Sequence, residues 1–224
     1  MRTIDRGQPA RRPRFLAVDV NGALHVVGRL TAYLSASTLV PAAVAVGYDE
    51  PAWPFLAAGV IAGGIGGLAA LATRGDHRLG IREGFLVVSL TWLVAAALGA
   101  LPYVLSGDPQ LGRPLDAYFE GMSGFSTTGG SVVRDVEALP HGLALWLQLT
   151  KLLGGIGIIV LALAILPRLR VGGRQLLETE MPGPEIDTLS TRIRDTARRV
   201  WILYIGLTAV LFLLLLGLGL SGLD

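Results

Sequence analysis

From Phe85 to Leu105 the chain runs for 21 residues without one charged side chain. No other feature restricts its fold so strongly. A spanning helix needs about 20 mostly apolar residues, because the hydrocarbon core of a bilayer is about 30 Å thick. Four more segments have the same character: 24–46 with Arg29 near its start, 53–73, 143–166 with Lys151 inside it, and 200–220. Over the whole chain 52% of residues are hydrophobic and 16% charged, where a soluble domain carries about a quarter charged. The expected fold is an all-α membrane protein.

The connections between the runs alternate in charge. Residues 1–14 are basic, 47–51 hold Asp49 and Glu50, 74–82 hold Arg74, Arg78 and Arg82, 106–116 are mixed, and 167–199 are arginine-rich. Basic connections stay on the cytoplasmic side. The N-terminus, 74–82 and 167–199 are therefore expected inside, and 47–51 and 106–142 outside. Five spans then leave the C-terminus outside.

Several function classes fall away. The chain has no cysteine, which excludes disulfides and thiolate metal sites. His25, His77 and His141 lie far apart, without metal-ligand spacing around them. The arginines flank apolar runs instead of forming one basic face, so no nucleic-acid partner is expected. No cleavable signal peptide is expected either: Arg2, Arg6, Arg11, Arg12 and Arg14 are interrupted by Pro9 and Pro13, and no short apolar core follows. A membrane enzyme would need clustered carboxylates, histidines or a nucleophile–base pair within the spans, and the runs hold none.

Residues 115–126, LDAYFEGMSGFS, do not fit a span. They are amphipathic and suit a helix of about 12 residues, about 18 Å long, or half a bilayer. Two readings stand, a re-entrant loop and an ordinary outer loop with a helical turn. Non-helical backbone at membrane depth is tolerated only where protein buries it or a wet cavity receives it. Glycine is patterned as well. Gly59, Gly63 and Gly67 are four apart, and small residues at that spacing let helices approach closely. No strand precedes Gly63–Gly67, so a nucleotide-binding loop is not expected there. Gly154–Gly157 suggests close packing or a flexible point.

The run Ser126-Thr127-Thr128-Gly129-Gly130-Ser131 carries the functional signal. Selecting a bare cation requires oxygens that replace its water, which rings of backbone carbonyls supply. Aiming successive carbonyls into one pore needs extended, partly left-handed backbone, which glycine permits. The preceding short helix would bring about half a negative charge to the cation at its C-terminal end.

Here the chain resembles a known family. REGFLVV (Arg82–Val88), ALPYVLS (Ala100–Ser106), DAYFEGMSGFSTTGGSV (Asp116–Val132), LGGIGIIVLALAILP (Leu153–Pro167) running into VGGRQLLETEMPGP (Val171–Pro184), and RIRDTARRVWILYIGLT (Arg192–Thr208) are similar to the Trk/Ktr potassium transporter superfamily, and within it to the Trk membrane subunit. The resemblance covers most of 80–210; residues 1–79 match the family's two extra N-terminal spans more loosely. It implies four span–pore loop–span repeats around one pore, of which this chain would hold the first at 80–167. A cytoplasmic connector at 168–194 and the first span of a second repeat at 195–224 would follow.

The resemblance further implies potassium uptake across the inner membrane, with potassium as transported substrate at Thr127 and Thr128, no other cofactor and no catalytic residue. Filter carbonyls would come from Thr127, Thr128, Gly129 and Gly130, with Ser126, Glu120 and Lys151 in support. It implies a dimer of the full-length form and a cytoplasmic nucleotide-binding regulatory subunit (TrkA-like) as partner. Ser126 stands where the family often has Thr, and Gly130 where it has Ala; both remain small. Lys151 stands where the family more often has an uncharged polar residue. Intramembrane charges are costly and seek partners, so an ion pair with Glu120 is expected, the alternative being that Lys151 faces a water-filled cavity or snorkels. Because the chain holds one filter strand of four, a non-conducting fragment that assembles with other chains and a homotetrameric cation channel remain as alternatives.

Overall fold

The computed structural model describes residues 18–77, 80–169 and 185–219. The N-terminal arginines and most of the connector, 170–184, lie outside the described residues. The helices are α1 (Val20–Ser35), α2 (Leu39–Gly47), α3 (Trp53–Ala72), α4 (Ile81–Gly99), α5 (Leu101–Ser106), α6 (Pro114–Phe125), α7 (His141–Leu169) and α8 (Glu185–Gly217). No strand occurs among the described residues. Among the described residues, four stretches are long and apolar enough to cross a membrane: Val20–Gly47, Trp53–Ala72, Arg82–Ser106 and Arg198–Gly217. The span expected at 143–166 falls inside α7, a helix of 29 residues.

Proline sets two interruptions. Pro41 lacks an N–H and its ring crowds the carbonyl four residues back; α1 gives way there to a 3-10 turn over Ala36–Thr38 before α2 begins. The hydroxyls of Ser35, Ser37 and Thr38 bond to carbonyls three residues earlier, which steadies the break. Pro102 acts in the same way between α4 and α5. Both breaks fall inside otherwise continuous apolar runs.

α1 packs along α3 at backbone distance. A Cβ on Gly28 would lie 2.7 Å from the Gly66 carbonyl oxygen, and one on Gly66 2.6 Å from that of Gly28. Gly59 and Gly63 face Thr38 and Ser35, as a close-packing stripe requires. Gly67 does not join them: nothing lies within 4 Å of its Cβ position. The reason is helical phase. Residues four apart drift by about 40° per step, so Gly67 is turned about 80° from Gly59, while Gly66 returns to within about 20° of it.

The buried core gathers α2, α3, α5, α6 and α7 around Phe55, Tyr103, Leu111, Ala117, Leu143, Trp146 and Leu147. Trp146 donates its indole N–H to the Gly99 carbonyl at 2.9 Å, tying α7 to the end of α4. Glu50 supplies the start of α7 from 91 residues away: its carboxylate accepts the backbone N–H groups of His141 (2.7 Å) and Gly142 (2.9 Å) and the His141 ring Nδ1 (2.7 Å). A carboxylate at a helix N-terminus satisfies orphan donors and complements the dipole. Burial pushes the Glu50 carboxyl up, but the Gly142 and His141 donors outweigh it and hold it below the ordinary value.

At the far end of α3, Asp19 caps α1 by accepting Gly22 N–H (2.9 Å) and meets His77 Nδ1 at 2.9 Å. The other His77 nitrogen lies 2.7 Å from the Thr73 carbonyl. Glu83 accepts the N–H groups of Asp19 (3.1 Å) and Gly80 (2.9 Å), joining the starts of α1 and α4.

Candidate pore-loop site

α6 is a 12-residue helix held between α4 and α7, and glycine makes that possible. A Cβ on Gly121 would lie 2.8 Å from the Ala96 carbonyl of α4. On the other flank, one on Gly124 would strike Thr150, and one on Gly154 of α7 would strike the Phe125 carbonyl. Two helices thus meet the C-terminal half of α6 with almost no side chain between. Proline at the first position and Asp116 in the first turn favour the start of α6.

The end of α6 builds the loop. Thr127 N–H bonds to the Gly124 carbonyl and Thr128 N–H to that of Ser123, each at 3.0 Å. These two bonds make a Schellman cap, whose left-handed position is normally glycine. Here that residue is Thr127, with φ 55°. A left-handed β-branched residue costs about 1–3 kcal/mol and persists only where its surroundings enforce it. Gly129 follows with φ 81°, and Thr128 between them is not left-handed. Backbone whose hand alternates turns successive peptide groups to a common side. The N–H edges of Thr127 and Thr128 are already spent on the helix cap, so the edge left for a ligand is the carbonyl edge. Thr127, Thr128 and Gly129 are all exposed. Ser126 and Thr128 share a hydroxyl–hydroxyl bond of 2.7 Å.

Behind the loop the polar groups are buried. Glu120, fully buried, accepts the Ser131 hydroxyl on both carboxylate oxygens (3.0 Å each) and Val132 N–H at 2.9 Å. Ser123, also buried, donates its hydroxyl to the Gly130 carbonyl. Of the four expected filter carbonyls, the one at Gly130 is therefore already engaged.

The structure brings Glu120, Ser126, Thr127, Thr128, Gly129 and Gly130 into one cluster. It does not bring Lys151 to Glu120. Among the described residues the ion pairs are His77–Asp19 and His141–Glu50, so the expected Glu120–Lys151 pair is not formed. Thr150, fully buried, occupies the face of α7 that meets α6, and its neighbour Lys151 is turned about 100° away. Glu120 is satisfied by backbone and hydroxyl instead. Ser123, Gly124 and Thr150 were not singled out by the sequence. The signal was present in part, since Ser123 and Gly124 stand three and four residues after Glu120 and so share its helix face. No group of His, Asp or Glu among the described residues is arranged to hold a metal.

Residues 54–218 match the family described as TrkH, cation transport protein. The chain is 40% identical over 202 residues to the Trk system potassium uptake protein TrkH of Escherichia coli K12, covering 89% of this chain and 42% of that protein. It is 38% identical over 183 residues to the Trk system potassium uptake protein TrkG of the same organism, covering 80% and 38%. The crystal structure of the potassium transporter TrkH from Vibrio parahaemolyticus superposes with a TM-score of 0.77 at 32% identity, over 92% of this chain and 41% of that one. The chain thus spans about two fifths of the length of these relatives. They are transporters, which sets aside the enzyme class.

Proposed function

Because the chain belongs to the TrkH family of cation transport proteins, we propose that it takes part in potassium uptake and that Thr127–Gly129 is one strand of the selectivity filter. The observation that carries this reading is the backbone at Thr127–Gly129: alternating hand, the Thr127 and Thr128 N–H groups spent on the helix cap, and three exposed residues whose carbonyls are left for a ligand. Potassium sheds water to pass, and carbonyl oxygens of suitable number and field strength replace it. The C-terminal end of α6 adds partial negative charge beside the same strand. Ser126 tethers the Thr128 side chain, and Glu120 holds the strand's far end from behind.

In this proposal α4–α5, the α6 loop and α7 form one span–pore loop–span repeat at 80–167. α8 opens the next repeat after a connector at 168–194, and further strands complete the filter. In the same reading the protein sits in the inner membrane with the N-terminus in the cytoplasm and the filter toward the outer face, an orientation that the basic connections support. A dimer and a cytoplasmic nucleotide-binding regulatory subunit belong to the same reading, on the resemblance to the Trk branch.

The test is potassium-limited growth of uptake-deficient cells expressing the complete transporter. Gly129→Ala is expected to abolish growth at low potassium. Unchanged growth together with an unchanged preference for potassium over sodium would overturn the assignment of this loop.

A further inference from the structure

We propose that Ser123 is a positioning residue that ends the row of ion ligands at Gly129 by turning the Gly130 carbonyl away from the ion path. The inference rests on the filter reading above and adds the element that fixes the length of the strand.

The loop changes character between two adjacent glycines. Thr127, Thr128 and Gly129 are exposed, and the N–H groups of both threonines point back at α6. From Gly130 onward the polar groups turn inward. The Gly130 carbonyl accepts from Ser123, the Ser131 hydroxyl donates to Glu120, and Val132 N–H donates to Glu120 at 2.9 Å. Ser123 is 4% exposed and Glu120 0% exposed. The Gly130 Cβ position lies 3.5 Å from Phe119 and 3.8 Å from the Ser123 hydroxyl oxygen, so this glycine sits over α6 and not over the open side.

A carbonyl that coordinates a cation must aim its oxygen at it. The Gly130 oxygen is aimed at a buried hydroxyl, where a bond left unmade is costly. The Gly130 carbonyl belongs to the peptide that links Gly130 to Ser131, and Gly130 offers little steric resistance to its rotation. Something must therefore hold that peptide, and Ser123 is the side chain that reaches it. Without the hydroxyl, the Gly130 carbonyl is released to swing toward the exposed side as an extra, loosely held ligand. Selectivity depends on the number and field of the carbonyls around the ion, so an extra mobile ligand lowers the preference for potassium over sodium.

The experiment compares Ser123→Thr with Ser123→Val, two side chains of the same shape that differ only in the hydroxyl, with Ser123→Ala as a smaller variant and Gly129→Ala alongside. The complete transporter is used, and the readout is the ratio of potassium to sodium uptake within each variant. That ratio does not depend on how much protein reaches the membrane. Ser123→Val and Ser123→Ala are expected to lose preference by about fivefold, the equivalent of one net hydrogen bond, and Ser123→Thr to recover it. Equal loss in the Thr and Val variants would make Ser123 a packing residue and overturn the proposal. Unchanged preference in Val and Ala, with preference lost in Gly129→Ala, would overturn the proposal and leave the filter reading standing. Unchanged preference in Gly129→Ala would remove both.

Discussion

Two polar clusters hold this protein's helices to their loops, and they are built from similar chemistry. At the loop after α6, the proposed filter strand, Glu120 gathers Ser131 and Val132, and Ser123 takes Gly130. At the other, Asp19, His77 and Glu83 join the starts of α1 and α4 to the end of α3. The difference is water. Glu120 is fully buried, while Asp19, His77 and Glu83 are half-buried at the protein's edge, the Asp19 side chain 35% and the His77 side chain 16% exposed. A buried carboxylate whose donors are all protein groups fixes one geometry, since any other leaves a group unpaired. A half-exposed cluster has water beside it as an alternative partner. The first arrangement suits a strand that must present oxygens within tight limits; the second suits a junction that can respond to pH.

Removing the buried carboxylate separates the two most sharply. Glu120→Gln keeps the shape but offers one acceptor and turns an NH2 group toward existing donors. It is expected to cost about 1–3 kcal/mol, seen as a fall in thermal unfolding temperature in detergent, together with reduced potassium preference. Asp19→Asn at the half-exposed junction is expected to lower the unfolding temperature less and leave ion preference alone. Equal effects would erase the distinction.

The glycine contacts come next in size. Gly154→Ala places a methyl against the Phe125 carbonyl, and overpacking of this kind costs about 1–3 kcal/mol. Because the clash falls at the end of α6, a loss of potassium uptake is expected with it. Gly67→Ala, whose added methyl meets nothing within 4 Å, is expected to change neither stability nor uptake. Uptake assays and thermal unfolding on the pair check both.

The smallest effect is pH. His77 has acceptors at both ring nitrogens, an arrangement that suits the doubly protonated ring. The Thr73 carbonyl and then the Asp19 carboxylate raise its pKa above the ordinary 6.5. The Gly22 N–H and then His77 lower that of Asp19 below 3.8. A raised histidine contributes stability that is complete below its unfolded value and lost as pH rises through the folded one. A lowered carboxylate contributes above its unfolded value and loses that contribution as pH falls through the folded one. The junction is therefore expected to be tightest between those limits. Hydrogen exchange at the Asp19 and Gly22 amides should quicken, beyond the intrinsic pH trend, as pH rises past the His77 pKa, while Val132, held by Glu120, keeps its protection. Parallel behaviour of Val132 would show that the two clusters do not differ as described.

Hydropathy and charge made the spans legible, because the bilayer imposes a length that no packing detail can alter. The run Ser126–Ser131 stood out as the candidate site from its hydroxyls and paired glycines. What the sequence concealed depends on angular phase. Gly67 falls off the stripe because spacing by fours drifts around a 3.6-residue helix, and Gly28 and Gly66 were passed over for the same reason. Lys151 drew attention as a charge, but its neighbour Thr150 holds the inward face and Glu120 finds backbone instead. Thr127 in a position normally taken by glycine could not be foreseen, because local preference argues against it and only the packing around α6 enforces it.

The central claim is that the carbonyls of Thr127–Gly129 select the ion, and Gly129→Ala tests it most directly. Its added methyl meets nothing within 4 Å, and its φ of 81° disfavours any side chain. Whatever it changes is changed through the backbone. The measurement is potassium uptake against sodium competition in the complete transporter carrying Gly129→Ala, beside Gly67→Ala as the unstrained control. The account predicts loss of potassium preference in the first and none in the second. Retained preference in Gly129→Ala would show that this strand does not select the ion.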